Sequence, residues 1–248
     1  MGRLDGRIAV VTGGAGGMGQ GVALKLAAEG AALELLDLQP CDDTLTRIRQ
    51  AGGTAEAQAC DVTDEAGLAA AMAAIGARHG CIDILVNNAG LLQGRKPWHQ
   101  QTRAEVERFL QVNFIGYLLV TQAAYPWLQK SVAGRVINVA SRTYFLANPG
   151  QMAYVASKGA VMGMTRVLAK ELGPENITVN AVAPGMIATP GTRQHSADDA
   201  FDRVMQNQAI RKRGEPRHLA GLIAFLASDE AELITGQFLL CDGGGYLL

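Results

Sequence analysis

Charge of one sign, aromatic residues and long apolar runs are all in short supply in this sequence. Its 248 residues carry 22 Lys and Arg against 23 Asp and Glu, a net charge of −1, and only 5% are aromatic. A nucleic-acid-binding chain would show a basic excess, so we expect no such partner. No stretch reaches the ~20 apolar residues of a membrane span, and the first residues lack the apolar core of a signal peptide. We therefore expect a cytoplasmic protein that does not contact membranes.

Cysteine and histidine are also scarce, with four of each scattered along the chain. No C-x-x-C pair occurs, and dispersed thiols are typical of a reducing compartment. A metal centre would need Cys, His and acidic residues in a cluster, so we expect no metal site.

Glycine, by contrast, is abundant: 30 of 248 residues, about 12% against an average near 7%. There is no G-X-Y period, which excludes a collagen helix. With 48% apolar residues, a chain of this length can bury a sizeable core without disulfides or metals. We expect one folded domain over residues 1–248.

Short aliphatic runs alternate with longer, Ala-rich helical patterns throughout the chain. This alternation predicts an α/β fold: an open, doubly wound parallel sheet of about seven strands with helices on both faces. Strands are expected at 7–12, 32–37, 54–60, 83–87, 135–140, 178–183 and 237–241. Helices are expected near 17–29, 40–51, 64–79, 102–130, 152–173 and 216–228. The exception is a polar insertion at 185–213, for which a lid and a solvated surface loop remain equally good interpretations.

The glycines concentrate between the first strand and the first helix, in Thr12-Gly13-Gly14-Ala15-Gly16-Gly17-Met18-Gly19. Two spacings fit this run, Gly14-x-Gly16-x-x-Gly19 and Thr12-Gly13-x-x-x-Gly17-x-Gly19. Both predict a dinucleotide-binding loop of the Rossmann type, because backbone free of side chains lets a pyrophosphate approach the N-terminus of a helix.

Asp37 ends the second strand, 18 residues after Gly19. An acidic side chain about 20 residues beyond such a loop binds the ribose hydroxyls of NAD and would repel the 2′-phosphate of NADP. The neighbouring Ala15, Gly16, Leu38 and Gln39 are all uncharged, so we expect NAD as the cofactor.

Three further residues form a pattern downstream. Ser141 follows the fifth predicted strand, and Tyr154 lies 13 residues later. Lys158 is at i+4 from Tyr154, so the two share one face of the predicted helix. A Tyr–Lys pair by itself is usually part of a core or a solvated face, but here it follows a dinucleotide loop.

With these motifs in this order, the chain resembles the short-chain dehydrogenase/reductase family, in its compact single-domain branch, over nearly its whole length. The resemblance rests further on matches at Asp61-Val62, Asn87-Asn88-Ala89-Gly90, Asn113, Pro184-Gly185 with Ile187 and Thr189, and Asp242-Gly243-Gly244. It implies the cofactor contacts Gly13, Gly17, Met18, Gly19, Asp37, Leu38, Asp61, Val62, Asn88, Ala89, Gly90, Tyr154, Lys158, Pro184, Gly185, Ile187 and Thr189.

The resemblance implies an alcohol dehydrogenase or carbonyl reductase, with Tyr154 as general acid/base. A tyrosine pKa near 10 is too high for base work at neutral pH, so we expect the nearby Lys158 ammonium and a cationic nicotinamide to lower it. Lys158 should also bind the nicotinamide ribose, and Ser141 should stabilise charge on the substrate oxygen. Asn113 is implied to hold a water that links Lys158 to solvent; it also suits a polar residue that satisfies a helix irregularity.

The substrate side is expected to be largely apolar, which suits a secondary alcohol, including an aryl or ring-bearing one. The candidate pocket residues are Ser141, Thr143, Tyr144, Phe145, Leu91, Leu92, Gln151, Tyr154 and Met186. Arg95, Arg142 and His195 could bind an anion, although exposed cations are the commoner outcome. The segments 141–145 and 154–158 and the C-terminal run also resemble NAD-linked members that act on aryl alcohols and on pyridoxal. The family resemblance further implies a homotetramer (or homodimer) that packs through the helices at 102–130 and 152–173.

Other functions remain open. The chain could be a reductase of 3-oxoacyl or sugar-type substrates, although the family's acyl-carrier reductases carry a basic residue in the glycine loop that is missing here. It could be a catalytically silent dinucleotide-binding regulatory protein. A lyase or dehalogenase relative is disfavoured, because those relatives lose the dinucleotide loop and replace the lysine.

Overall fold

A computed structural model of the chain describes residues 2–247. The seven predicted strands all form, within two residues of the predicted bounds, and pair in parallel in the order β3-β2-β1-β4-β5-β6-β7. The doubly wound parallel sheet is thereby confirmed. The strands are β1 (Ile8–Thr12), β2 (Ala32–Asp37), β3 (Ala55–Ala59), β4 (Ile84–Asn87), β5 (Gly134–Val139), β6 (Ile177–Pro184) and β7 (Phe238–Cys241).

The helices follow the predicted alternation, with additions at the site. They are α1 (Gly17–Ala28), α2 (Asp42–Gln50), α3 (Glu65–His79), α4 (Arg103–Leu110), α5 (Gly116–Leu128), α6 (Thr143–Leu146), α7 (Met152–Leu172), α8 (Pro190–Arg193), α9 (Asp198–Gln206) and α10 (Pro216–Ala227). Short 3₁₀ turns occupy 98–100, 173–175 and 229–231.

The prediction of a single continuous helix at 102–130 is wrong, because the segment is interrupted. A π-helical turn, Gln111–Ile115, separates α4 from α5. Such a turn inserts an extra residue into the helical hydrogen bonding and often marks a functional site. Asn113 lies in this turn and is fully buried.

The apolar side chains of the central strands alternate between two cores, one on each face of the sheet. Val11 and Leu35 pack with α1 and α10 on one face, whereas Val10 and Leu36 pack with α3 and α5 on the other. Both faces are covered, which explains the near-continuous apolar runs of the strands.

The chain order of the sheet reverses at β1, which lies between β2 and β4. In open α/β sheets a ligand crevice forms at the carboxyl ends of the strands where the order reverses. The glycine loop follows β1 and Asn88 follows β4, so the candidate site residues meet at this point.

Candidate active site

The glycine loop is held in shape by side chains from β1 and β4. Thr12 Oγ1 accepts hydrogen bonds from the backbone N–H groups of Asn88 (3.0 Å) and Ala89 (3.1 Å). Asn88 Nδ2 donates to the carbonyl oxygens of Thr12 (2.9 Å) and Gly13 (3.2 Å). Gly13 has φ +71°, a conformation that favours glycine. A Cβ on Gly19 would lie 1.9 Å from the Gly13 oxygen, so only glycine allows the helix to start this close to the strand.

A cavity of about 1180 Å³ extends from this loop. At one end it reaches Asp37, and at the other it reaches Tyr154 and Lys158. Most of the predicted cofactor residues line it, namely Gly13, Met18, Asp37, Leu38, Asp61, Val62, Asn88, Ala89, Gly90, Tyr154, Lys158 and Thr189.

The other predicted cofactor residues lie elsewhere. Gly17 and Gly19 do not line this cavity, because they belong to the packed turn of the loop, where a Cβ on Gly17 would contact Thr189 at 3.5 Å. Pro184, Gly185 and Ile187 line a second cavity instead.

Asp37 lies at the far end of the first cavity with part of its carboxylate still free. Its Oδ2 accepts from the backbone N–H of Ala15 and its Oδ1 from that of Gln39, both at 2.9 Å. An ionised carboxylate has about four lone-pair sites, so about two remain for hydroxyl groups. The uncharged Leu38, Gln39 and Pro40 surround it on the cavity wall.

These residues fit a dinucleotide. A Cβ on Gly16 would meet nothing within 4 Å, so the loop presents open backbone beside the N-terminus of α1. Polar acceptors at the Asp37 end and a lysine at the Tyr154 end match the two ribose-bearing ends of such a molecule. The loop would hold the pyrophosphate, and Asp37 and Lys158 would each hold a ribose.

A second cavity, of about 700 Å³, adjoins the first. Ser141 lines only this cavity and Lys158 only the first, whereas Tyr154 lines both. The tyrosine therefore lies at the junction between the two spaces, with the lysine on one side and the serine on the other. The i, i+4 spacing on α7 produces this arrangement, because it directs both helical side chains to the same face.

Lys158 is 4% exposed and is held by protein oxygens. Its Nζ donates to the carbonyl oxygen of Val139 (2.7 Å) and to the hydroxyl of Tyr117 (3.2 Å). Burial lowers the pKa of Lys158 to about 7, because desolvation disfavours the charged form.

The pKa of Tyr154 differs from the expectation of a lowered value. In the free protein burial raises it, and a hydrogen bond from Ser141 opposes the rise. The reason is that desolvation of the buried phenol disfavours its charged tyrosinate form. Ser141 Oγ in turn accepts hydrogen bonds from Thr143 N (3.2 Å) and Thr143 Oγ1 (2.9 Å), so its own proton is free to be donated to Tyr154.

Asn113 uses its side chain to clamp the loop after β4. Its Oδ1 accepts from Leu91 N (2.7 Å), and its Nδ2 donates to Leu91 O (3.1 Å) and Ser157 Oγ (3.1 Å). The π turn thus carries a polar residue that ties this loop to α7. The water link implied for Asn113 stays a prediction.

The second cavity contains most, but not all, of the predicted substrate residues. Ser141, Thr143, Leu92, Gln151, Tyr154 and Met186 line it, and Leu91 lines the first cavity. Tyr144 and Phe145 do not, which corrects their assignment. Phe145 stacks on Tyr246 with ring centroids 5.2 Å apart and packs edge-on against Phe238 at the same distance. Tyr144 is 46% exposed. The turn of α6 therefore directs the ring of Phe145 towards the C-terminal segment, whereas the ring of Tyr144 lies beside Gly159 of α7.

The three candidate cations differ in their surroundings. Arg142 is buried, against the expectation of an exposed cation, and its Nη1 lies 3.2 Å from Asp242 Oδ2. Arg95 and His195 are exposed and line the second cavity. The charge of Arg142 is thus compensated within the protein, which leaves Arg95 and His195 as the cavity's exposed candidates for an anion.

The insertion at 185–213 folds over the second cavity. It contains α8 and α9, and side chains from both its halves line the cavity, including Thr192, Ala200 and Val204. Phe201 anchors α9, since it is 2% exposed.

Comparison with known proteins agrees with this geometry. A family model described as enoyl-(acyl carrier protein) reductase matches residues 13–245. Cyclopentanol dehydrogenase of Comamonas sp. is 37% identical over 247 residues, covering 98% of each chain. The 3-oxoacyl-[acyl-carrier-protein] reductase of Thermotoga maritima is 35% identical over 244 residues, again with 98% of each chain covered. The chain belongs to the short-chain dehydrogenase/reductase family.

A solved structure of another family member supports the same assignment. The 7α-hydroxysteroid dehydrogenase complexed with NADH and 7-oxo glycochenodeoxycholic acid is 33% identical, with a TM-score of 0.93 over 98% of this chain and 95% of that one. As a short-chain dehydrogenase/reductase, the protein is an oxidoreductase of alcohols and carbonyl compounds that binds a nicotinamide dinucleotide.

Sequence reasoning missed several residues of this short-chain dehydrogenase/reductase site. Arg108, Gln111 and Val112 line the first cavity from α4 and the π turn. Gln93 Oε1 accepts from the backbone N–H of Tyr154 (3.0 Å), and Thr44 Oγ1 donates to Gly14 O (2.9 Å). None belongs to a motif quoted above; only their position on elements that end at the crevice could have indicated them.

Two features are absent from residues 2–247. No group of three or more His, Cys, Asp or Glu side chains could hold a metal ion. None of the helices described there is both long and apolar enough to cross a membrane.

Proposed function

We propose that the protein is an NAD-dependent oxidoreductase that interconverts a secondary, ring-bearing alcohol and its carbonyl compound by hydride transfer. The observation that carries this proposal is the position of Tyr154 between two cavities, with Lys158 on the dinucleotide side and Ser141 on the other. A proton must reach or leave the substrate oxygen while hydride moves at the adjacent carbon, and this tyrosine lies where both spaces meet.

The chain's own residues would divide the work as follows. Ser141 donates a hydrogen bond to the substrate oxygen and stabilises its developing charge. Tyr154 transfers the proton to or from that oxygen. Lys158 holds the nicotinamide ribose and adds positive charge beside the phenol. The bound dinucleotide supplies the hydride acceptor or donor.

The preference for NAD rests on Asp37. Its carboxylate has lone pairs for ribose hydroxyls, and the groups beside it on the cavity wall carry no positive charge. A 2′-phosphate placed there would face a carboxylate without a neighbouring cation. Arg108, a cation that sequence reasoning missed, lines the same cavity from α4, and the comparison of NAD⁺ with NADP⁺ below tests whether it offsets this preference.

The substrate class rests on the second cavity and on the relatives. Leu92, Leu146 and Met186 give its wall an apolar character, and Val204 of α9 adds to it. Polar side chains line the rest of the cavity, and the apolar part of the wall suits the ring of a ring-bearing ligand. Two relatives bear the names of cyclic substrates, cyclopentanol and a 7α-hydroxysteroid. The rival interpretation, a 3-oxoacyl reductase, is favoured by the 35% identity to the Thermotoga maritima enzyme.

The deciding experiment is a substrate panel followed at 340 nm. Cyclic and aryl secondary alcohols, sugars, hydroxy acids and a 3-hydroxyacyl thioester are each assayed with NAD⁺ and NADP⁺. We expect the highest kcat/KM with a cyclic or aryl alcohol and NAD⁺. A higher value with the thioester or with NADP⁺ would contradict the proposed substrate or cofactor. No turnover of any substrate, together with tight NADH binding, would favour the catalytically silent alternative.

We also propose a homotetramer (or homodimer). Met152 and Val167 on α7 are exposed apolar side chains, 42% and 55% respectively, and subunit contact would cover them. Light scattering after size-exclusion chromatography should give a mass two or four times the 26.1 kDa of the chain; a mass of one chain would contradict it.

We further propose that residues 1–248 form one domain in which the segment 185–213 covers the substrate. NADH with a ketone should then slow proteolytic cleavage within 185–213. Cleavage at an unchanged rate would favour the alternative, a solvated surface loop.

A further inference from the structure

Tyr117 is a buried tyrosine that none of the motifs above includes. It belongs to α5, one turn after Asn113, and is 0% exposed. Its hydroxyl lies 3.2 Å from the Nζ of Lys158 and donates to the carbonyl oxygen of Val139 at 3.2 Å. Lys158 Nζ donates to the same carbonyl at 2.7 Å. The three groups thus form a closed triangle between α5, α7 and β5.

The arrangement divides the hydrogen bonds of the lysine. An ammonium group has three donors, and protein oxygens of Val139 and Tyr117 take two of them. One donor remains for the cavity side, where the ribose would bind. The ring of Tyr117 also lies beneath the charge, with Nζ 4.9 Å from its centroid, within the range of a cation–π contact.

We infer that the hydroxyl of Tyr117 is a positioning group for Lys158, which fixes the ammonium towards the dinucleotide and favours its charged form. The inference rests on the proposed function in one respect, that Lys158 binds the dinucleotide. Tyr117 does not line either cavity, so it acts through the lysine rather than by touching a ligand.

The surroundings of Lys158 contain few groups other than Tyr117 that could stabilise its charged form. Within residues 2–247, the titratable groups that face it are Tyr117 from α5 and Tyr154 from its own helix. β5 contributes only a carbonyl oxygen, and the loop after β4 contributes Gly90, where a Cβ would lie 3.7 Å from Nζ. With no carboxylate beside it, the ammonium depends on neutral acceptors, and burial already lowers the pKa of Lys158 to about 7. Loss of one acceptor should lower it further.

The test is the dissociation constant of NADH, measured by fluorescence between pH 5.5 and 9, which needs no turnover. In the parent we expect affinity to weaken above a break near the Lys158 pKa, and Lys158→Met should abolish the break. Tyr117→Phe keeps the ring and removes the hydroxyl. Since a hydrogen bond to a charged group contributes enough to shift a pKa by about one unit or more, the break should move down by about one pH unit.

The matched control is Tyr125→Phe on the same helix, whose hydroxyl donates to Glu175 at 2.7 Å, away from the site. Its break should coincide with that of the parent. If Tyr117→Phe does not fold, as judged by circular dichroism, Tyr117→Met replaces it. A break that stays in place, or an affinity that weakens equally at every pH, would overturn the inference. Because the readout is binding, that result leaves the proposed alcohol oxidation to be judged separately by its own assay.

Discussion

Asp37 should set the choice between NAD and NADP, and the structure gives the size of its effect. Asp37→Ser removes the charge without placing an amide N–H against the two backbone donors of Ala15 and Gln39, which now lie 2.9 Å from the carboxylate. A hydrogen bond to a charged group contributes about 1.5–3 kcal/mol, so losing the ribose contact should weaken NADH binding about 10-fold to 150-fold.

NADPH should respond in the opposite direction. A unit charge about 4 Å from another interacts with roughly 1 kcal/mol in water and roughly 4 kcal/mol near a protein surface. Removal of the carboxylate should therefore tighten NADPH binding by at least about fivefold, and the ratio of the two dissociation constants should change by about 50-fold or more.

The assay is fluorescence titration of both dinucleotides against the parent and the variant. Asp61→Ser is the matched control. Asp61 lines the same cavity and uses Oδ1 to accept from Thr63 N and Thr63 Oγ1. The Asp61→Ser substitution removes the same charge but should change the dissociation constants of NADH and NADPH by the same factor. If Asp37→Ser changes the ratio no more than Asp61→Ser does, the argument for NAD is refuted.

Three further predictions concern the loop, the buried ion pair and the buried lysine. Gly19→Ala places a Cβ 1.9 Å from a backbone oxygen of the glycine loop and should abolish NADH binding in a titration. The control Gly163→Ala, with nothing within 4 Å of the new Cβ, should bind NADH like the parent. Equal NADH binding by the two variants would contradict the packing argument. Asp242→Ala leaves Arg142 buried without its partner at 3.2 Å and should cost about 3–5 kcal/mol of unfolding free energy, seen as a drop in Tm; an unchanged Tm would show that the pair contributes nothing. Lys158→Met should raise the free energy of unfolding of the unliganded protein in urea by several kcal/mol at pH 6, because the folded-state pKa of about 7 lies below the ordinary 10.5. Between those two pH values the unfolded chain binds one more proton at Lys158 than the folded chain does. The buried lysine therefore destabilises the parent fully below pH 7, and the stability difference between variant and parent should shrink as the pH rises towards 10.5. A stability difference that does not depend on pH would contradict the lowered pKa of Lys158.

The sequence predicts most of the scaffold because the governing signals are local. Apolar runs and glycine positions locate every strand, and the i, i+4 spacing places Tyr154 and Lys158 on one helical face. Asp37 could be found because a fixed length of chain, one helix and one strand, separates it from the loop.

The remaining features depend on contacts between distant parts of the chain. Phe145 turns away from the substrate cavity because Phe238 and Tyr246, about a hundred residues later, offer it aromatic partners. Arg142 is buried because Asp242 lies beside it in the fold. No local pattern encodes either pairing.

Tyr117 illustrates the same limit within a helix. Its sequence spacing from Asn113 is visible, but the π turn changes the rotation between them. Periodicity assumes a regular helix, so the contact between Tyr117 and Lys158 could be found only in the folded structure.

The central claim is that Tyr154 moves the proton, and Tyr154→Phe tests it most directly. The ring remains to fill the junction between the cavities while the hydroxyl is lost. With the best alcohol of the panel, kcat/KM should fall by at least about 100-fold, the lower range of general acid–base catalysis, while the NADH dissociation constant stays close to that of the parent. A variant that binds NADH normally and turns over the alcohol as fast as the parent would contradict the account.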